Sequence, residues 1–117
     1  MHDILDSVAG VIEPHAGFPV FLGLTVDKPD DAVIISQYNA APPFLTFGDV
    51  HYIYGVKVDA RSKDIKAARE AMRKVEDAID QNHCSEYAIT PASAVMYAGQ
   101  DEKQRHLYTA SYKVSEM

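Results

Sequence analysis

With 117 residues, 47% hydrophobic and 24% charged, the chain has the size and composition of one globular domain spanning residues 1–117, which excludes a fibrous or wholly disordered protein. The single cysteine, Cys84, leaves no internal disulfide to form and fits a reducing compartment, and a domain of this length needs neither disulfide nor metal to fold. A net charge of −6, without a basic stripe, disfavours sequence-independent binding to nucleic acid, and no apolar run suggests a membrane span.

Along the chain, Ile4, Leu5, Val8, Val11 and Ile12 fall on one helical face, which predicts a short amphipathic helix ending before Pro14. Residues 20–26 are apolar and β-branched enough for a strand, KPDD at 28–31 reads as a turn, and residues 32–38 predict a second strand. Residues 40–48, AAPPFLTFG, predict a connection, because Pro42 and Pro43 forbid a central strand or a helix interior. That connection carries Phe44, Leu45 and Phe47, and leaving them in water forgoes about 1.5–3 kcal/mol each, so a surface must cover them, either their own sheet or a neighbouring chain.

Residues 51–60 alternate, with Tyr52, Tyr54, Val56, Val58 and Ala60 on one face of a long strand and His51, Ile53, Gly55, Lys57 and Asp59 on the other. A long helix is predicted from residue 63 to residue 82, with Ser62 as N-cap and an apolar stripe of Ile65, Ala68, Met72, Val75 and Ile79. Residues 92–99 and 105–114 read as a terminal hairpin around a polar turn, with Tyr108, Ala110, Tyr112 and Val114 on one face. Together these elements predict an α+β domain: a single, mostly antiparallel sheet of about five strands with a long helix on one face and a short N-terminal helix.

Charge is unevenly divided. Residues 1–50 hold seven acids, Asp3, Asp6, Glu13, Asp27, Asp30, Asp31 and Asp49, against Lys28, whereas residues 51–117 hold ten of each sign. The long helix is bipolar, with Lys63, Lys66, Arg69, Arg73 and Lys74 in its first half and Glu76, Asp77 and Asp80 in its last turns, against the macrodipole at both ends. Glu70 with Lys74, or Arg73 with Asp77, could offset part of that cost as i, i+4 pairs. A solvated face accounts for the pattern; so does a helix whose positive end meets an acidic patch on a neighbouring copy.

Signatures of chemistry are missing from the sequence: it has no GxSxG, HExxH, P-loop, CxxC or GxGxxG. His83 and Cys84 are sequence neighbours, which rarely present both side chains to one point, and His2, His15, His51, His83 and His106 fall in different elements without ligand spacing. Asp27, Asp30 and Asp31 lack the glycine and distal glutamate of a calcium loop. No catalytic residue, cofactor or metal is expected.

The stretches KPDDAVIISQYNAAPP, HYIYGVKVDARS, KDIKAAREAMRKVEDAID and YTASYKV, in that order between Phe18 and Val114, resemble the minor capsid or tail terminator (tail-completion) proteins of long-tailed bacteriophages. Arg61 matches the arginine that ends the family's strand, while Asn39, Ala40 and Ala41 stand where the family has a glycine before its proline pair. The resemblance implies a structural virion protein and no enzyme. It implies a ring, typically a hexamer, that is assembled in the host cytoplasm, caps the tail tube and meets a head-side connector protein. The candidate interface comprises Pro42, Pro43, Phe44, Leu45, Phe47, Arg61, Lys66, Arg69 and Arg73. The alternative is a small dimeric α+β barrel enzyme or ligand-binding protein, which predicts a polar cluster such as Tyr52, Tyr54, His106 and Tyr108.

Overall fold

Among the described residues of the computed structural model the elements follow in the order α1 (Ile4–Ala16), β1 (Val20–Leu22), β2 (Ala32–Asn39), β3 (Phe44–Thr46), β4 (Asp49–His51), β5 (Ile53–Ser62), α2 (Ile65–Gln81), β6 (Tyr87–Pro91), β7 (Met96–Gln100) and β8 (His106–Glu116). The structure describes residues 4–23, 29–39, 44–46, 49–51, 53–81 and 87–116. Six strands form the main sheet in the order β1-β2-β5-β8-β6, with β7 also paired to β8, and β3 and β4 form a separate two-stranded sheet. All pairs are antiparallel except β1 with β2. The predicted α+β class is the observed one, with six main-sheet strands in place of about five.

β5 behaves as its alternation requires. Val56, Val58 and Ala60 are fully buried, Lys57 is exposed, and the buried residues meet Val33 and Ile35 of β2 and Ala110, Tyr112 and Val114 of β8 in one core. Both helices cover that face: Val8, Ile12 and Ala16 of α1 and Ala71, Met72, Val75 and Ile79 of α2 complete the cluster. The α2 stripe is as predicted from Ala68 to Ile79, but Ile65, at the first helical position, is 40% exposed.

Several boundaries differ from the sequence reading, among them the first strand of the predicted terminal hairpin, which begins at Met96 rather than at residue 92. α1 runs through Pro14 to Ala16. Pro14 is exposed and sits in the last turn, so it removes one backbone bond there, while carrying the helix on buries Ala16 in the core. Gly17 then takes φ +75°, the left-handed conformation that closes a helix at its C′ position. β1 stops at Leu22, where Gly23 donates its N–H to the Ile35 carbonyl at 2.8 Å, and residues 24–26 of the predicted strand lie outside the described residues.

The N-cap of α2 is Asp64 rather than Ser62. Its carboxylate accepts the Lys66 N–H at 3.0 Å and its carbonyl accepts the Ala68 N–H at 3.0 Å, as an N-cap residue does. Ser62 acts one step earlier, with its Oγ accepting the Asp64 N–H at 3.1 Å. The long strand predicted over residues 51–60 begins at Ile53 and ends at Ser62, and His51 belongs to β4.

Three strands were not anticipated: β3, β4 and β6. Phe44–Thr46, inside the predicted connection, pairs with Asp49–His51, just beyond it, as a hairpin. β6 and β7 lie end to end along one edge of β8: Tyr87 to Pro91 face Glu116 to Tyr112, and Met96 to Gln100 face Thr109 to His106. The break between them stays stitched to β8, because Ala92 and Ser93 donate to the Ser111 carbonyl at 2.8 and 3.2 Å and Ser111 donates to Ser93 Oγ at 3.0 Å. Pro91 is tolerated there because an outer strand does not need every N–H in the ladder.

Candidate interaction surfaces

Arg61 closes β5 and is 1% exposed. Its guanidinium donates to the Pro29 carbonyl at 2.8 Å and, weakly, to the Asp30 carbonyl at 3.4 Å, which holds the turn before β2 against the end of β5. Ser62 Oγ donates to Asp31 Oδ1 at 2.6 Å in the same place. Asp30 also faces Lys63 at 3.5 Å and Arg105 at 3.6 Å, and Arg105 in turn pairs with Asp101 at 2.8 Å. Sequence spacing gives no sign of this clasp, because Arg61 and Ser62 find their partners 31 or 32 residues away.

Asp101 anchors the turn between β7 and β8. Burial pushes its carboxyl up, but the Arg105 N–H and guanidinium and the Lys103 N–H outweigh that and hold it below the usual carboxylate range. The clasp changes the reading of the acidic half of the chain. Asp30 and Asp31 are engaged internally, which leaves Asp6 and Glu13 as the exposed acids of α1.

Lys66, Arg69 and Arg73 lie exposed on α2. Among the described residues none of the three forms an ion pair, and neither Glu70 with Lys74 nor Arg73 with Asp77 comes within pairing distance. This cationic row is therefore open to an acidic surface outside the chain. On the inner side of the same helix, burial and then the Glu76 and Asp80 carboxylates push the Tyr112 phenol above its ordinary range.

β7 is the outer strand at one end of the sheet. Met96 is 56% and Tyr97 46% exposed, and the strand contains no charged residue and no proline, the usual guards of a free edge. Its irregularity is a register shift between Tyr97 and Gly99, where Gly99 takes φ +100°. Tyr97 packs its ring 5.3 Å from that of Tyr108, and its hydroxyl lies 2.7 Å from His106 Nδ1. Gln100 Nε2 lies 3.3 Å from His106 Nε2, so both ring nitrogens are engaged.

The tyrosine and histidine cluster expected of a ligand site does not assemble as predicted. Tyr54 faces Val114 while His106 faces Ser62, eight positions further along β5. At about 3.3 Å per residue that separates them by about 26 Å. His106 and Tyr108 instead join Tyr97 on the surface. Tyr52, His83 and Cys84 lie outside the described residues.

Of the remaining candidate interface residues, Phe44 and Leu45 belong to β3, and Pro42, Pro43 and Phe47 lie outside the described residues. A cavity of about 260 Å³, lined by His15, Lys74, Asp77 and Ala78, falls below the usual volume of a small-molecule site. Among the described residues no group of three or more His, Cys, Asp or Glu side chains could hold a metal ion, and no helix is long and apolar enough to cross a membrane.

No protein-family model matches the chain, and no curated protein matches it. Among solved structures it is similar to a chain from the virion of a native gene transfer agent (GTA) particle, at a TM-score of 0.46 and 12% sequence identity, over 98% of this chain and 87% of that one.

Proposed function

We propose that the chain is a structural assembly protein of a phage-type virion, a ring-forming subunit of the tail terminator kind that closes the end of a tail tube and offers its outer surface to a head-side connector. The sequence resemblance from Phe18 to Val114 suggests the class. The observation that carries the reading is the outer edge of β7, which pairs only with β8 among the described residues, has exposed Met96 and Tyr97, and carries no charge or proline to discourage pairing. An unguarded strand edge is a template for pairing with another chain, which a subunit that repeats head to tail around an axis can use. The exposed row of Lys66, Arg69 and Arg73 supplies a second surface, suited to an acidic protein partner. In this reading function consists of docking, with no turnover and no cofactor.

Mass photometry of the purified protein, alone and with tail tube protein, tests the proposal. The expected result is a discrete closed oligomer, six copies if the family's usual ring holds, alone or on tube ends. A strict monomer in both conditions refutes it.

A further inference from the structure

α2 has three distinct sides. Ala68, Ala71, Met72, Val75, Ala78 and Ile79 are buried. Lys74 turns towards α1, where it comes up against Gly17 and shares a shallow cavity with His15. Glu76 and Asp80 lie away from α1, near enough to Tyr112 of β8 to raise its phenol pKa.

That third side carries a stripe of charge. Lys66, Arg69, Arg73, Glu76 and Asp80 follow one another at steps of three, four, three and four residues, the spacing of the seam between two packed helices. At about 100° per residue they fall within about 80° of arc, centred about 140° round the helix from the buried residues. All five are exposed, and among the described residues none forms an ion pair. The signs are segregated rather than interleaved: three cations occupy the first half of the stripe and two acids the second.

Such a stripe matches a copy of itself only in one sense. Two α2 helices laid in the same direction set cation against cation. Reversed about a centre midway between residues 74 and 75, they set Arg69 against Asp80 and Arg73 against Glu76, and the two-fold axis makes each pair twice. We infer that two copies of this chain pair α2 against α2, antiparallel, in this register. The contact uses no part of β7, so it goes beyond the ring contact proposed above. It occupies the cationic row in the free chain and gives way when an acidic partner takes that row.

Sedimentation velocity at about 50 µM chain in low salt, where a weak charge-steered contact is populated, tests the inference. Arg73→Glu and Glu76→Arg alter exposed positions, so circular dichroism should show both folded. Each turns two attractions into two repulsions, which should weaken pairing by about tenfold or more and halve the mass of the wild-type species. The double variant, Arg73→Glu with Glu76→Arg, exchanges the signs and restores both pairs, so its pairing should return to within about threefold of wild type. Raising the salt to about 0.5 M should weaken wild-type pairing as well. A wild-type chain that does not pair, a mass indifferent to either single reversal, or a double variant that fails to recover overturns the inference. Loss with Arg73→Glu alone also overturns it, and points to acids elsewhere, such as Asp6 and Glu13 of α1. None of these results bears on ring closure with tail tube protein, whose failure would refute the assembly role and leave the α2 pair standing.

Discussion

Replacing Arg61 by methionine separates a residue that holds the fold from one that serves a partner. Methionine keeps an unbranched chain in a site 1% exposed but removes the guanidinium that donates to the Pro29 carbonyl at 2.8 Å and to the Asp30 carbonyl at 3.4 Å. A hydrogen bond from a charged group contributes about 1.5–3 kcal/mol, and a carbonyl left without a partner costs about 1–3 kcal/mol. Relief of the buried charge's desolvation offsets part of this, so the net loss should be about 2–4 kcal/mol. At about 2.1 cal/mol/K per residue over 117 residues, the unfolding entropy is roughly 0.25 kcal/mol/K, and Tm should fall by roughly 8–16 °C. Circular dichroism melts at a concentration that keeps the protein monomeric provide the assay. Arg61→Lys should lose less than Arg61→Met, since an ammonium can serve one carbonyl but lacks the planar fork. A melting shift below about 2 °C, with assembly lost instead, would refute the clasp and return Arg61 to the interface.

Three further outcomes follow from the geometry. Asp64→Ala should cost about 1 kcal/mol in urea unfolding, as the loss of an N-cap does, because Asp64 accepts the Lys66 N–H at 3.0 Å. Asp101 has a lowered carboxyl pKa in the folded chain, so its contribution to stability is complete above the unfolded value of about 4 and is lost as pH falls through the lower folded value. Asp101→Asn should therefore flatten the fall in stability below pH about 4, and a carboxyl titration by NMR that places Asp101 at or above the usual range would contradict this. Tyr112 is the opposite case. Its raised phenol pKa gives stability that is complete below about pH 10 and lost as pH rises towards the folded value, so Tyr112→Phe should make alkaline unfolding shallower, measured by tryptophan-free near-ultraviolet absorbance and circular dichroism.

β5 and α2 are legible in the sequence because a period of two runs from Tyr54 to Ala60 and a period of 3.6 from Ala68 to Ile79, and burial follows both over those stretches. β6 is not, since five residues ending in Pro91 carry no usable alternation and become a strand through pairing with β8. The path of α1 through Pro14 shows a local rule yielding to burial of Ala16. The candidate surfaces divide in the same way. The exposed cations of α2 follow directly from helical spacing. The burial of Arg61 depends on carbonyls 31 and 32 residues distant, and the contact of Tyr97 with His106 depends on hairpin register, neither of which a period reveals.

β8 is the strand on which the rest of the sheet converges, pairing with β5, β6 and β7, and it is the last element in chain order. Its pairing with β5 joins residues 44 to 62 positions apart, such as Ser62 with His106 and Ile53 with Ser115. Contacts that distant in sequence slow folding, because a long loop must close before its pairing is rewarded. During synthesis, β5 and the apolar stripe of α2 therefore emerge before the strand that completes their core. Until β8 arrives, β5 has one neighbour, β2, and a second open edge of ten residues. The rate at which β8 docks should thus set how long each new subunit remains open to pairing with the wrong strand, and crowding many nascent copies together should penalise variants that slow this step more than variants that merely lower final stability.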